Sequence, residues 1–163
     1  MIKNMDPQRR MIIFGSPGSG KGTQAERISE EFNICHISTG EILRESISKK
    51  TKLGLAAESY VTSGELIPDD VIIGIVEDRL RMNGCKDGFL LDGFPRNIAQ
   101  AETLDKILKI LEIKLDKAII LNVKDDELLK RLVNRRTCKV CGKVHHLIFD
   151  PPKKEGFCDH CKG

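Results

Sequence analysis

Residues 11–23, MIIFGSPGSGKGT, constrain what this chain can fold into more than any other segment. Four apolar residues predict a short buried strand, and glycines follow at positions 15, 18, 20 and 22. An amphipathic stretch after Lys21, with Ala25, Ile28 and Phe32 on one face, predicts a helix. A strand, a glycine-rich turn, a lysine and a helix in this order are typical of a phosphate-binding loop, because glycines let backbone N–H groups point at phosphate oxygens.

The loop differs in one place from the strict phosphate-binding pattern. Gly22 follows Lys21 directly, and the usual hydroxyl comes one residue later, at Thr23. A glycine-rich turn with an incidental lysine is the alternative interpretation. We favour phosphate binding, because both flanking elements are predicted where that function needs them and a helix N-terminus attracts anions.

The composition indicates an ordinary globular chain of one domain. Its 163 residues are 40% hydrophobic and 31% charged, with a net charge of +3. So slight a charge favours neither nucleic acid nor a membrane surface as a partner, and the lack of Trp leaves few platforms for base stacking. No apolar run approaches the ~18 residues of a membrane span, and the first residues lack the apolar core of a signal peptide. We therefore expect a cytoplasmic protein without nucleic-acid or membrane partners.

Short apolar segments alternate with amphipathic ones along the rest of the chain. Further strands are predicted at 34–37, 89–92 and 118–123, and helices at 39–47, 51–61, 71–82, 97–111 and 125–132. We expect Asp69 or Asp70 to cap one helix and Asp125 to cap another. Strands that alternate with helices predict an α/β fold, in which a parallel sheet carries helices on both faces. Residues 1–10 have no periodicity and are predicted to be a flexible leader.

Polar segments follow three of the predicted strands. Besides the loop after the first strand, they are residues 38–40, with Arg44 close behind, and residues 92–96. Because ligands bind beyond the carboxyl ends of parallel strands, we expect these segments to form one site. In that site Asp92 suits a hydrated magnesium ion, and Arg96 suits a phosphate.

Simpler structural roles remain open for the charged residues near this site. Asp92 could cap a turn, and Arg44 could be a solvated surface side chain. Arg131, Arg135 and Arg136 end the last predicted helix, where cations are favourable for electrostatic reasons alone.

The six cysteines fall into two classes. Four of them form two Cys-x2-Cys pairs separated by sixteen residues, namely Cys138, Cys141, Cys158 and Cys161. Four thiolates at this spacing predict a tetrahedral structural zinc site, with disulfides as the alternative. Cys35 and Cys85 stand alone and are predicted to be small buried apolar residues with reduced thiols.

Three segments in this order resemble the adenylate kinases: GSPGSGKGT at 15–23, STGEILR at 38–44 and DGFPR at 92–96. The similarity runs from about residue 11 to the last residue, and the Gly22-Thr23 ending belongs to that family's pattern. It implies a P-loop nucleoside monophosphate kinase fold of the bacterial type and the reaction MgATP + AMP ⇌ 2 ADP. It also implies a core at 11–37 and 69–133, an AMP-binding insert at 38–68 and a zinc-binding lid at 134–163.

The resemblance assigns roles residue by residue. It implies five catalytic residues, of which Asp92 organises magnesium: Lys21, Asp92, Arg96, Arg131 and Arg135. It implies ATP contacts from Gly18, Ser19, Gly20, Lys21, Gly22, Thr23, Arg135, Val144 and His145, the last in place of the usual aromatic residue. It implies AMP contacts from Thr39, Arg44, Glu65, Leu66, Ile67, Gly93, Phe94, Pro95, Arg96 and Gln100, of which Gln100 reads the adenine edge. The implied cofactors are Mg²⁺ with ATP and a structural Zn²⁺ at the four cysteines, and the expected state is a monomer.

Two other functions are weighed against this one. A uridylate or cytidylate kinase shares the scaffold. By resemblance, those kinases tend to have a smaller residue in place of Thr39 and usually lack the long lid, which favours AMP as acceptor. A zinc-ribbon nucleic-acid-binding module would fit the seven basic and three acidic side chains of residues 134–163, although aromatic residues are few. The family's pattern continues past residue 163 with a fifth strand, so we expect this chain to have four strands, weak stability and weak or no activity alone.

Overall fold

The computed structural model describes residues 9–63, 67–85 and 88–163. The strands are β1 Arg9–Gly15, β2 Cys35–Ser38, β3 Gly88–Asp92, β4 Lys117–Leu121, β5 Arg135–Thr137 and β6 Val144–His146. The α-helices are α1 Lys21–Phe32, α2 Thr39–Ser48, α3 Lys52–Ser63, α4 Asp69–Arg81, α5 Ile98–Ile110 and α6 Asp125–Val133, and a 3-10 helix spans Asn83–Cys85. The described residues form two compact units, one of 9–14 and 21–120 and the other of 15–20 and 121–163. No helix in the described ranges has the length and apolar character needed to cross a bilayer.

The sheet has the strand order β2-β3-β1-β4 and confirms the predicted α/β fold. Strand β3 runs parallel to both of its neighbours, with Asp92 opposite Ile13 of β1 and opposite Ser38 of β2. Because paired parallel strands end at the same edge, the segments that follow β2 and β3 leave the sheet side by side. This pairing brings two of the three predicted polar segments together in the larger unit.

The hydrophobic core of the larger unit is centred on β3. Phe89, Leu90 and Leu91 are completely buried, as expected for a strand with neighbours on both sides and helices on both faces. Side chains of α4 and α5 complete the core, including Val76 and Leu104. Each fully buried side chain of this size contributes about 1.5–3 kcal/mol by leaving water, so the strand that ends in Asp92 is held firmly.

Several predicted boundaries and caps are corrected by the structure. Strand β1 begins at Arg9, because Arg9 and Arg10 continue the ladder with β3, so these two residues are not part of a flexible leader as predicted. Residues 1–8 lie outside the described part. The residues that precede α4 and α6 are Pro68 and Lys124, which make no side-chain cap. The predicted caps are instead helical residues of the first turn, where a carboxylate is still favoured by the helix dipole.

Cys35 and Cys85 are joined in a disulfide, so the prediction that both are free thiols is wrong. Their Cα atoms lie 5.0 Å apart although 50 positions separate them in sequence. Cys35 opens β2 opposite Phe89 of β3, and Cys85 ends the 3-10 helix that leads into β3. The pairing of β2 with β3 therefore brings the two sulfur atoms together, which sequence spacing could not reveal.

We expect reduction of this disulfide to destabilise the larger unit by about 4 kcal/mol, since closing a loop of ~50 residues restricts the unfolded chain by that amount. Thermal unfolding with and without dithiothreitol measures the effect. The variant carrying both Cys35→Ser and Cys85→Ser should unfold at the midpoint of the reduced wild type and should not respond to reductant. A wild-type midpoint unchanged by dithiothreitol would contradict the prediction.

Candidate active site

The glycine-rich loop after β1 has the backbone that phosphate binding needs. Gly18 and Gly20 adopt φ values of +84° and +88°, which side chains with a Cβ rarely tolerate, and Ser19 N–H donates to the carbonyl of Ser16 at 3.0 Å. Ser19 is buried, and its Oγ has no hydrogen-bond partner among the described residues. A buried hydroxyl without a protein partner is suited to a polar ligand. Lys21 then begins α1.

Lys21 and Asp92 come together in the larger unit. The Lys21 Nζ lies 4.0 Å from the Asp92 Oδ1, at the carboxyl end of β3. Asp92 is only 7% exposed, and within the described ranges its Oδ1 has no hydrogen-bond partner. A buried carboxylate with open lone pairs beside a lysine fits a hydrated Mg²⁺ that accompanies a phosphate. Within the described ranges, the Oδ1 of Asp92 does not cap a backbone N–H, so this oxygen gives no support to the capping role left open for Asp92.

His36 is a neighbour of Asp92 that sequence reasoning missed. Its Nε2 lies 3.8 Å from the Asp92 Oδ2, which is the separation of an ion pair rather than of a hydrogen bond. The Asp92 carboxylate raises the pKa of His36 above its usual value, against the opposing effect of burial. The available signal was its position in β2, two residues before the strand ends at the same sheet edge.

We expect His36 to stabilise the fold more at acid pH than at alkaline pH. Since its folded-state pKa is raised, the stabilisation is complete below the unfolded pKa of about 6.5 and is lost as pH rises through the folded value. Urea unfolding of wild type and His36→Gln at pH 5.5 and 8.5 measures the difference. The substitution should cost more free energy of unfolding at pH 5.5, whereas His160→Gln, at an exposed position, should cost little at either pH. An equal cost of His36→Gln at both values would contradict this prediction.

The segment after β3 is tied to the start of α2. The Thr39 Oγ1 donates to the carbonyl oxygens of Asp92 and Gly93, at 3.4 and 3.2 Å. The Arg96 Nε donates to the Gly93 carbonyl at 2.8 Å, and the Arg96 side chain stays exposed. The peptide bond between the buried Phe94 and Pro95 is cis. Two of the predicted acceptor-binding segments therefore meet in the larger unit.

Gln100 lies behind this segment in a network that contains a second unpredicted residue, Asp69. The Gln100 Oε1 accepts from the backbone N–H of Arg96 at 2.7 Å, and its Nε2 donates to Asp69 Oδ1 at 2.5 Å. The Asn97 Nδ2 donates to the other Asp69 oxygen at 3.0 Å. These hydrogen bonds, the one from Asn97 first, lower the pKa of Asp69. Asp69 could not be found from sequence, because 28 and 31 positions separate it from its partners.

The structure describes two of the four remaining residues that were predicted to bind the acceptor, Arg44 and Ile67. Arg44 is exposed, and its guanidinium lies beside Gly40. A Cβ added to Gly40 would lie 3.3 Å from the Arg44 Nη1. Ile67 is half-buried. Glu65 and Leu66 lie outside the described residues.

In the smaller unit Arg131 contacts the glycine-rich loop. Its Nη1 lies 3.5 Å from the Ser19 carbonyl oxygen, and its Nε donates to Glu127 Oε1 at 3.0 Å. Arg135 is exposed in β5, opposite His146. Arg136 donates from Nη1 to the carbonyls of Val133 and Arg135, so its structural role at the helix end is the one observed. Arg131 alone of these three touches the loop within the described residues.

The four clustered cysteines have the geometry of a metal site. Their sulfur atoms all lie within 4.8 Å of one another, with 3.5 Å between Cys138 and Cys161 and 3.6 Å between Cys141 and Cys158. Four Zn–S bonds of ~2.3 Å in a tetrahedron place sulfur atoms about 3.8 Å apart, so the cluster fits zinc. The antiparallel pair of β5 and β6, which the sequence did not predict, holds the first two cysteines near the others.

His145 contacts this cluster. It is buried, and its Nε2 lies 3.5 Å from the Cys158 Sγ. The His145 ring lowers the pKa of the Cys158 thiol to about 5, with help from the backbone N–H of Cys161. Val144, the other residue of this segment that was predicted to contact ATP, lies opposite Thr137 in the hairpin.

The chain is similar in sequence to known adenylate kinases over most of its length. A family model described as adenylate kinase matches residues 13–159. The chain is 54% identical over 154 residues to an adenylate kinase of Caldicellulosiruptor bescii, 55% over 153 residues to one of Bacillus licheniformis and 53% over 153 residues to one of Archaeoglobus fulgidus. Each match covers 94% of this chain and 70–72% of the relative.

Proposed function

The chain belongs to the adenylate kinase family, and we propose that the site described above carries out that family's reaction with the residue roles given below. The reaction transfers the γ-phosphoryl group of MgATP to AMP and gives two molecules of ADP. The observation that carries the assignment is the approach of Lys21 Nζ to Asp92 Oδ1, 4.0 Å apart, with Lys21 following the glycine-rich loop in sequence. A cation and an open carboxylate so close suit a phosphate and its metal ion together.

On the donor side, the loop and the residues after it hold the ATP phosphates. The backbone N–H groups of residues 18–23 bind the phosphate oxygens, and Lys21 adds a mobile positive charge. Arg131 contributes a planar guanidinium, which its contact with the Ser19 carbonyl supports. We assign Arg135, Val144 and His145 to ATP by resemblance. For His145 the burial against Cys158 limits this contact to the part of the ring that the thiol leaves open.

Asp92 would hold the Mg²⁺ that accompanies ATP through bound water, a role supported by its unpartnered Oδ1. When bound with ATP, the ion neutralises charge that develops on the β- and γ-phosphate oxygens. The protein's own contribution is positioning and positive charge, because phosphoryl transfer needs little covalent chemistry from the enzyme. An AMP phosphate oxygen attacks the γ-phosphorus, and the bond to the bridging oxygen breaks and leaves ADP. No side chain is required as a general base.

On the acceptor side, the segment after β3 and the start of α2 bind AMP. Arg96 binds the AMP phosphate and Gln100 reads the adenine edge. Thr39 fixes the start of the segment that carries Arg96 and Gln100, because its hydroxyl donates to the carbonyl oxygens of residues 92 and 93. The other acceptor contacts are assigned by resemblance to Arg44, Glu65, Leu66, Ile67, Gly93, Phe94 and Pro95.

Residues 38–68 form the acceptor insert in this proposal, and residues 134–163 form the lid. The four cysteines would hold a structural Zn²⁺ that cross-links the lid, and such an ion would have no catalytic role because four thiolates leave no open coordination position. Such a site stabilises a segment whose own core is small.

We also propose that the enzyme acts in the cytoplasm as a monomer, with nucleotides as its partners and neither nucleic acid nor membrane. The net charge of +3 and the lack of Trp support the absence of a nucleic-acid partner. Four free thiols in the cluster favour a reducing compartment, whereas the Cys35–Cys85 disulfide favours an oxidising one. Thermal unfolding with and without reductant tests whether that disulfide contributes to the stability of the protein.

The test of the function is ADP formation by this chain from MgATP with AMP, CMP or UMP as acceptor. We expect turnover with AMP in preference to both pyrimidine nucleotides, at the weak rate expected from the sequence for this chain alone. Asp92→Asn should lower that turnover strongly, while Asp105→Asn, an exposed carboxylate on α5, should leave it unchanged. Preference for CMP or UMP would move the chain to the uridylate and cytidylate kinases. No turnover by the folded chain with any acceptor would contradict the proposed activity.

A further inference from the structure

The amide of Gln100 is held in one orientation from both ends. Gln100 is only 2% exposed, its Oε1 accepts from the backbone N–H of Arg96, and its Nε2 donates to Asp69 Oδ1. A backbone N–H can only donate, and an ionised carboxylate can only accept. An amide turned by 180° would set oxygen against oxygen at Asp69 and nitrogen against nitrogen at Arg96. Both contacts therefore oppose the flip.

The orientation of Asp69 is fixed in turn by Asn97. The Asn97 Oδ1 accepts from the backbone N–H of Gln100 at 2.8 Å, so its Nδ2 is the atom that faces Asp69 Oδ2 at 3.0 Å. One carboxylate oxygen serves Asn97 and the other serves Gln100. The Gln100 backbone N–H donates to Asn97, and the Asn97 and Gln100 amides both donate to Asp69, so the donors and acceptors of this network can be assigned in only one way.

This assignment decides which hydrogen-bond donor and acceptor Gln100 presents to a base. Each end of the amide keeps one further group, an N–H on Nε2 and a lone pair on Oε1. That pair complements the N1 acceptor and the N6 amino donor of adenine. A 6-oxopurine such as hypoxanthine or guanine presents the reverse, an N1–H donor and an O6 acceptor, and would need the amide flipped. We propose that Asp69 is a positioning residue that locks the Gln100 amide and thereby sets the preference for a 6-aminopurine over a 6-oxopurine monophosphate, an inference that rests on the proposed reading of adenine by Gln100.

Asp69→Asn is the sharpest test, because it changes the direction of the network without changing its shape. Asn97 still demands an acceptor, so the introduced amide turns its oxygen toward Asn97 and its Nδ2 toward Gln100. The Gln100 amide is then drawn into the flipped orientation, which Arg96 alone opposes. Asp69→Ala removes the lock without this bias. Asp70→Asn is the matched control, since it removes a carboxylate from the same first turn of α4 at an exposed position.

The measurement is kcat/KM with AMP and with IMP at fixed MgATP, together with Kd for both acceptors by calorimetry. We expect Asp69→Asn to lower the AMP-to-IMP ratio by about tenfold or more, since each misdirected or unpaired buried hydrogen bond costs on the order of a factor of ten. Asp69→Ala should give a smaller change, and Asp70→Asn none. The change should lie mainly in KM and Kd, with AMP weakened and IMP strengthened.

A purely structural role for Asp69 gives a different pattern. If Asp69→Asn weakens AMP and IMP by the same factor, the ratio is unchanged and the proposal is overturned, while the proposed kinase function stands. If wild type neither phosphorylates nor binds AMP, the proposed function fails, and this inference fails with it. Opposite shifts for the two nucleotides support the positioning role and cannot come from loss of folding, which would weaken both.

Discussion

Replacing Arg131 by alanine is expected to lower the rate of ADP formation by about 10³- to 10⁵-fold, the effect of removing an arginine that stabilises phosphoryl-transfer charge. Arg131 contacts the glycine-rich loop within the smaller unit, because its Nη1 lies 3.5 Å from the Ser19 carbonyl oxygen. Glu127 holds the Nε end of the guanidinium at 3.0 Å, which leaves the other end directed to the loop. An arginine fixed in this way needs little reorganisation to meet developing negative charge.

Two further variants separate charge from geometry. Arg131→Lys keeps the positive charge but loses the planar fork of donors, so we expect a loss intermediate between wild type and alanine. Lys130→Ala removes a cation from the adjacent, exposed position of α6 and should change the rate little. The rates come from a coupled ADP assay at saturating MgATP and AMP, with circular dichroism as the check on folding. An Arg131→Ala enzyme that is folded and within tenfold of wild type would contradict the role proposed for this residue.

Removing the zinc ion proposed for the four cysteines is expected to unfold the cysteine segment of the smaller unit. Structural zinc supplies about 10–16 kcal/mol of apparent binding free energy in small domains, and residues 134–163 contain few buried apolar side chains to replace it. In the described part of this segment, the buried residues are His145 and Cys158, both at the cluster. We therefore expect chelation, or Cys158→Ser, to abolish the ordered structure of the segment while the larger unit stays folded.

Zinc content by mass spectrometry and amide hydrogen exchange test this expectation together. Wild type purified under reducing conditions should carry one zinc per chain, and the amides of the β5–β6 hairpin should lose protection after chelation. The variant with both Cys35→Ser and Cys85→Ser is the matched control, because it removes two cysteines and should keep its zinc. A wild-type chain without zinc, or a hairpin that stays protected after chelation, would contradict the structural role of the metal.

The sequence predicted the architecture because its signals are local. The strand, glycine-rich loop and helix at the start of the chain are consecutive, and so are the residues of each polar segment that follows a strand. Parallel strands then bring separate segments to one edge by a general rule, so the meeting of Asp92 with Lys21 follows from the order of the elements alone. The cysteine cluster was predictable for the same reason, since each half of it is a four-residue motif.

What could not be predicted depends on contacts between distant positions. Cys35 and Cys85 have no spacing motif, and only the register of β2 on β3 makes them neighbours. Asp69 looks like a helix cap in sequence, yet its oxygens are taken by Asn97 and Gln100. Local capping and long-range hydrogen bonding compete for the same carboxylate, and the sequence pattern carries information on the first only.

The hairpin of β5 and β6 was missed for a different reason. Strands β5 and β6 have three residues each, too few for an alternating pattern to be recognised. His145 carried no pairing signal, because its partner Cys158 lies 13 positions away and was already assigned to the metal. Short elements shaped by a metal site depend on the site rather than on their own hydrophobic pattern.

The Cys35–Cys85 disulfide encloses α2, α3 and α4 in a covalent ring, and with them the whole proposed acceptor insert. A protease that cuts the backbone once anywhere between residues 36 and 84 would therefore open the ring without releasing a fragment. Limited digestion of the oxidised protein should leave one band of full mass on a non-reducing gel, and reduction should resolve it into two. After such a cut, both pieces of the insert would therefore stay attached to the same sheet.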